Sequence, residues 1–248
     1  AVDTPSIDPT GTTAVHDVEA FGHLASSALR RSLVVSDAFV FGPGGLLQDE
    51  TGIWNLPYHL RRLGPVRRAG IPWAGIGLGA DGLITDRGRS RVGRALVGHT
   101  AIAVRDEPSA EALRALGVDR VVRAADLAFL AEPPTVSRDG VLGVCLRAPQ
   151  SGRLRPGALD AGRTWPDERA AALAAALDDT CRATGLTTRF VALNAPTDSV
   201  VHRQVADQMT TPAEVIEPDL DGVVGALARV DAVATMRYHG AVLAALGG

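Results

Sequence analysis

The chain contains no lysine; all 25 of its basic residues are arginine. That removes Schiff-base chemistry, pyridoxal-phosphate chemistry and P-loop nucleotide hydrolysis, each of which needs a lysine as amine nucleophile or phosphate ligand. GC-rich coding, which also suits the alanine, glycine and valine content, accounts for the arginine total, so that total carries no function by itself. Cysteine is scarce. Cys145 and Cys181 lie far apart without a CxxC pattern or neighbouring histidines, so neither a disulfide framework nor a zinc site is implied, and both read as buried small apolar residues. No apolar stretch approaches the roughly 20 residues that span a bilayer. The opening residues have no basic start followed by an apolar run, and a cytosolic protein is expected. The net charge is −3 and the pI about 6.1, which offers no overall attraction to nucleic acid or anionic lipid.

What remains is an ordinary globular composition, 46% hydrophobic and 21% charged over 248 residues. Short apolar runs alternate with longer segments of helical period, the pattern of parallel strands joined by crossover helices, so the fold class is α/β. Strands are expected at Ala38–Phe41, Trp73–Ile76, Ala101–Val104, Val121–Arg123, Val141–Leu146, Arg189–Leu193, Glu214–Ile216 and Asp231–Ala234. Helices are expected at Ser109–Leu116, Asp167–Ala183, Ser199–Met209, Leu220–Arg229 and after His239. The turn-rich segment Glu132–Asp139 reads as a linker, dividing the chain into domains at 1–134 and 135–248. Ala148–Thr164 has no periodicity and follows a strand end, where it reads either as a loop over a site or as a plain connection. Both ends of the chain read as cut, so a first and a last segment of the fold are expected to be missing.

Five segments carry chemistry. Phe39–Asp49 runs from a strand into the turn Gly42-Pro43-Gly44-Gly45, then to Gln48 and Asp49. It is either an ordinary tight turn or a cradle whose amides and polar pair meet an anion or a sugar. Trp73–Gly82 formally contains GxGxxG, but two further breakers precede any helical pattern, so a dinucleotide site is not expected. Ile102–Ser109 ends a strand on Arg105 and Asp106, which either pair with each other or reach a ligand, with Ser109 placed to cap the next helix. Arg147 ends the strand Val141–Leu146, where its planar fork suits a phosphate or carboxylate better than a rim salt bridge. The strongest segment is Asp231–Gly240, in which Arg237 and His239 share one side of an extended strand end and His239 begins a helix. The remaining histidines, His16, His23, His59, His99 and His202, read as unremarkable.

In order along the chain, GPGGLLQD, GIGLGADG, AIAVRDEPS, ADLAF at Ala125–Phe129, GVCLR, ALNAPTD and DAVATMRYHG resemble the motif series of bacterial polysaccharide pyruvyl transferases, in particular the cell-wall-anchoring ones. Their usual forms are GGGSLLQD, a GQGIGP-type loop, SVRD and MRLHA. Here Gly-Pro-Gly replaces the triple glycine, Gly75 or Ile76 stands for the loop glutamine, and Tyr238 and Gly240 stand for Leu and Ala. The resemblance implies two Rossmann-like domains in a GT-B-like arrangement. It further implies transfer of pyruvate from phosphoenolpyruvate to a sugar of a cell-wall or exopolysaccharide precursor, as a ketal. The implied site has His239 and Arg237 as catalytic residues, with Arg147, Gly44, Gly45, Gln48, Asp49 and Arg105 binding substrates. No metal and no cofactor beyond the co-substrate phosphoenolpyruvate is expected, the acceptor is a lipid-linked or polymer-precursor sugar, and the setting is the cytosol or the inner membrane face. The rival readings are a GT-B glycosyltransferase using a nucleotide sugar and an inactive sugar-binding module.

Overall fold

A computed structural model describes residues 26–50, 52–97, 101–132, 135–149 and 162–247. His16, His23, His99, the opening segment and most of the loop expected at Ala148–Thr164 lie outside the described residues. The protein is α/β, and its contacts divide it into two units, Ala1–Ala124 and Ala125–Gly248. Each is built on a four-stranded, all-parallel, Rossmann-like sheet.

In the first unit, β1 (Phe39–Phe41), β2 (Trp73–Leu78), β3 (Ile102–Val104) and β4 (Val121–Arg123) lie side by side in chain order. Around them are α1 (Ser26–Leu33), α2 (Asn55–Leu60), α3 (Leu63–Ala69), α4 (Asp86–Leu96) and α5 (Glu107–Arg114). Helix α4 begins inside the region where glycines were expected to delay a helix: Thr85 caps it, its Oγ1 accepting from the Gly88 amide at 3.0 Å. Helix α5 is capped not by Ser109 but by Asp106, which accepts from the Ser109 amide at 2.8 Å. The Ser109 hydroxyl instead accepts from the amide of Ala80, tying the helix to the end of β2. An aspartate at the cap position supplies this more readily than a serine three residues inside the helix.

The second unit holds β5 (Val141–Cys145), β6 (Thr187–Val191), β7 (Ala213–Ile216) and β8 (Ala232–Thr235), with α6 (Asp167–Thr184), α7 (Ala195–Ala206), α8 (Leu220–Ala228) and α9 (Tyr238–Leu246). Every residue of β5 is buried, as a central parallel strand requires. Its alternating side chains feed two cores. Leu142, Val144 and Leu146 pack with Phe190, Ala174, Val201 and Val205, whereas Cys145 packs with Val191, Leu227 and Leu243. Each such wholly buried large side chain contributes about 1.5–3 kcal/mol. Helix α6 buries Ala170, Ala174, Leu177 and Cys181, one stripe at helical spacing, and stops at Gly185 in the left-handed conformation, with φ +74°. No helix among the described residues is long and apolar enough to cross a membrane.

The strand order in this second sheet is β7-β6-β5-β8. The chain winds outward from β5 to β7, then returns to place β8 on the other side of β5. The crevice between the carboxyl ends of β5 and β8 is therefore a topological switch point, the place in an open parallel sheet where loops diverge and ligands bind.

Candidate active site

A cavity of about 750 Å³ opens at that switch point. All four strands of the second sheet contribute to its wall just past their carboxyl ends: Arg147 after β5, Asn194 after β6, Asp219 after β7, and Arg237 with His239 after β8. The three residues expected to carry the chemistry of this half, Arg147, Arg237 and His239, are thus brought to one cavity across 92 residues of chain.

Arg237 is held from two sides. Its backbone is clamped by Thr235, whose Oγ1 accepts from the Arg237 amide at 2.9 Å and donates to the Arg237 carbonyl at 2.8 Å. Its side chain is gripped by Asp198 of α7, which is wholly buried. The Arg237 Nε donates to Asp198 Oδ2 at 3.1 Å, and Nη2 donates to Asp198 Oδ1 and to Thr197 Oγ1. Asp198 also accepts from the Asn194 amide at 3.0 Å, locking the start of α7 to the same carboxylate. One edge of the guanidinium is therefore spent on the protein, while Nη1 has no partner among the described residues. A guanidinium fixed by Nε and Nη2, with Nη1 left to donate, is preorganised for an anion.

Arg147 sits where the backbone is pinned twice. The carbonyl of Arg147 accepts from the Trp165 indole N–H at 3.1 Å, and the amide of Leu146 donates to Nε2 of His202 at 2.9 Å. His202 is completely buried, its ring 5.4 Å from that of Phe190. With Nε2 accepting, the hydrogen of the neutral ring sits on Nδ1, which finds no partner among the described residues. Burial pushes the His202 pKa down to about 4, with Asp198 opposing that shift. The unfolded value is about 6.5, so in that interval the unfolded chain takes up a proton that the folded chain refuses. Stability contributed by neutral His202 is thus full above pH 6.5 and falls as the pH drops toward 4, by about 3 kcal/mol in all. Urea unfolding at a series of pH values is expected to show this loss, and His202→Gln, which keeps an acceptor for Leu146, is expected to flatten it; identical pH profiles for the two proteins would rule it out.

His239 lies in the first turn of α9 and is half exposed to the cavity. Its Nε2 stands 3.7 Å from Oδ1 of Asp126, a buried carboxylate on the segment preceding the 3₁₀ turn Leu127–Leu130. Cys145, behind α9 against Thr235 and Gly240, is not a nucleophile here: burial pushes its thiol up to about 11.

Two arginines and a histidine thus stand together at the mouth of a parallel sheet, side chains whose chemistry suits an anion. The family model described as polysaccharide pyruvyl transferase matches residues 5–248. The chain belongs to the polysaccharide pyruvyl transferase family. A search of curated proteins finds no match to it.

The transferase carries its other expected site residues in the first unit, after the carboxyl ends of β1 and β3. There the two glycine turns are laced together: the Gly44 amide donates to the Gly77 carbonyl at 3.0 Å, and the Gly44 carbonyl accepts from the Gly79 amide at 2.9 Å. Gly44 has φ +110°, a conformation open to glycine, and Gly45 follows it at the turn. The Gln48 carbonyl accepts from Asn55 Nδ2 at 2.9 Å. Asp49 is buried, its Oδ1 accepting from the amides of Ile84 at 2.9 Å and Thr85 at 3.3 Å, and its Oδ2 from the Thr85 hydroxyl. A Cβ on Gly88 would lie 2.2 Å from Asp49 Oδ2, so glycine there is what lets α4 approach the carboxylate. Arg105 lies flat against Gly79, its Nε 3.4 Å from Asp106 and its Nη2 4.0 Å from Asp81. No group of three or more His, Cys, Asp or Glu able to hold a metal occurs among the described residues.

Asp198, Asp126 and His202 are site residues that the sequence reading passed over. Asp198 and Asp126 lie within ALNAPTD and ADLAF, yet neither motif by itself says that its aspartate serves a residue of the last motif. His202 was grouped with the unremarkable histidines. The usable signal was the i, i+4 spacing of Asp198 and His202, which puts both on one face of α7.

Proposed function

We propose that this cavity binds phosphoenolpyruvate and that the protein transfers its pyruvyl group to two hydroxyls of a sugar in a cell-wall or exopolysaccharide precursor. The observation that carries the reading is the convergence of Arg147, Arg237 and His239 on one strand-end cavity in a member of this family. The donor has two anionic groups, a carboxylate and a phosphate, and the site has two arginines to meet them. In the reaction the methylene carbon of the donor gains a proton, which makes the adjacent carbon electrophilic. A sugar hydroxyl attacks that carbon and gives up its proton. The carbon–oxygen bond to phosphate breaks, the second hydroxyl adds, and its proton balances the departing phosphate. No electron carrier enters the balance. His239, whose imidazole can both give and take a proton, is the group chemically suited to deliver the proton. We also read the two Rossmann-like units as the halves of a GT-B-like enzyme. Within the first unit we read Gln48 and Arg105 as acceptor-binding residues, the Gly44-Gly45 turn as a place of close approach, and Asp49 as the brace of that turn on α4.

Labelled phosphoenolpyruvate incubated with lipid-linked and polymer-precursor saccharides tests this, with label in an acid-labile ketal on the saccharide as the expected product. Label in no saccharide, with sugar transferred from a nucleotide sugar instead, would place the protein among glycosyltransferases. Arg147→Lys keeps the charge and loses the bidentate fork, and it is expected to weaken phosphoenolpyruvate binding about tenfold, the worth of one charge-assisted hydrogen bond. Calorimetry reads this directly, and an unchanged dissociation constant would reduce Arg147 to a rim charge.

A further inference from the structure

We infer that Asp126 is a positioning residue for His239, holding the ring by Nε2 so that Nδ1 is the nitrogen that exchanges the proton with substrate. This rests on the proton-transfer role proposed for His239. The geometry has three parts. Asp126 Oδ1 stands 3.7 Å from Nε2, an ion-pair distance when the ring carries its second proton. The carboxylate is itself anchored, because the same Oδ1 accepts from the Ala128 amide at 3.0 Å as it caps the 3₁₀ turn, and the side chain is buried. Ala128 lines the same cavity as His239, so the turn that Asp126 caps and the ring belong to one wall. A histidine that is half exposed has room to turn about its side-chain bonds. A fixed acceptor behind one nitrogen removes that freedom and leaves the other nitrogen toward the substrate, the arrangement by which a third group orients a catalytic base or acid. Of the other charged groups at this cavity, Arg147 and Arg237 are assigned to the donor, and the contacts of Arg237 and Asp219 run to other partners than His239. Arg237 is committed to Asp198, and Asp219 caps α8 by accepting from the Gly222 amide at 2.8 Å.

The substitution that tests this is Asp126→Asn, because asparagine caps a turn about as well as aspartate and the fold is preserved. On the full chain, turnover is expected to fall by about tenfold to a hundredfold while the KM for phosphoenolpyruvate stays within about twofold. Placed on top of His239→Gln, the same change is expected to have no further effect, since it acts only through the ring. A residue that merely braced the 3₁₀ turn would lower the melting temperature and would subtract from activity with or without His239. Undiminished turnover in Asp126→Asn, or a second loss of equal size in the His239→Gln background, overturns the inference. Undiminished turnover in His239→Gln alone would instead remove the role of His239 on which it rests. Should Asp126→Asn yield no folded protein, Asp126→Ser, which also caps, takes its place in the cycle.

Discussion

Asp198→Ala is expected to leave little folded protein at 37 °C, a larger loss than any substitution of a residue that faces the cavity. Asp198 is wholly buried and takes hydrogen bonds from the Asn194 amide, the Thr197 hydroxyl and two nitrogens of Arg237. Removing it strands a guanidinium that is itself only 21% exposed. Breaking a buried pair from one side costs about 3–5 kcal/mol, because the remaining charge is neither solvated nor compensated. Against a total stability of about 5–15 kcal/mol, that is about a fifth of the whole or more. The same physics predicts that removing both partners is cheaper than the sum. Asp198→Ala combined with Arg237→Leu is expected to recover part of the loss in a urea titration, although it abolishes transfer. If Asp198→Ala alone unfolds at the wild-type urea midpoint, the pair is solvated and Arg237 is not held as described.

The eight strands were legible because each is a short apolar run bounded by turn residues, and the structure has all eight, with no end shifted by more than two residues. β6 shows why ends slip. Arg189 looked like the first residue of the strand, yet it sits at its centre, its head group on Asp139, just before β5, and on Glu214 of β7. Helices α1 to α4 were not foreseen, and three of them carry the residues that normally argue against a helix. Pro57 lies in α2, Gly64 and Pro65 open α3, and Gly88 and Gly93 lie in α4. What overrides that propensity is burial of Leu56, Leu63, Val66, Val92 and Leu96, all at or below 2% exposure, a tertiary gain that no local window contains. The site shows the same division. Arg147, Arg237 and His239 were visible because each stands at a strand end, and strand ends can be read locally. Asp198 was not, because on α7 a buried aspartate and a solvated one look alike until the strand order places Arg237 beside it.

His239→Gln is expected to lower turnover by about a hundredfold or more while phosphoenolpyruvate affinity and melting temperature change little. The separation follows from where the ring sits. It is half exposed, its ion-pair partner among the described residues is Asp126, and Tyr238 meets it edge-on at 5.3 Å between ring centres. Glutamine retains a polar head near the same place and leaves no buried group without a partner, so the unfolding free energy has no reason to fall. In the proposed reading the donor is held by the two arginines, one of them gripped by Asp198, and neither depends on the imidazole. What glutamine cannot do is carry a proton to the methylene carbon, and that proton is needed only as the reaction proceeds. The contrast is His202, which is buried, supports the Leu146 amide and is expected to affect stability and its pH dependence rather than turnover. Measuring turnover, donor dissociation constant and melting temperature on both histidine variants therefore gives two opposite patterns. A His239→Gln protein that melts many degrees lower, or that still turns over at the wild-type rate, would mean that the proton comes from another group.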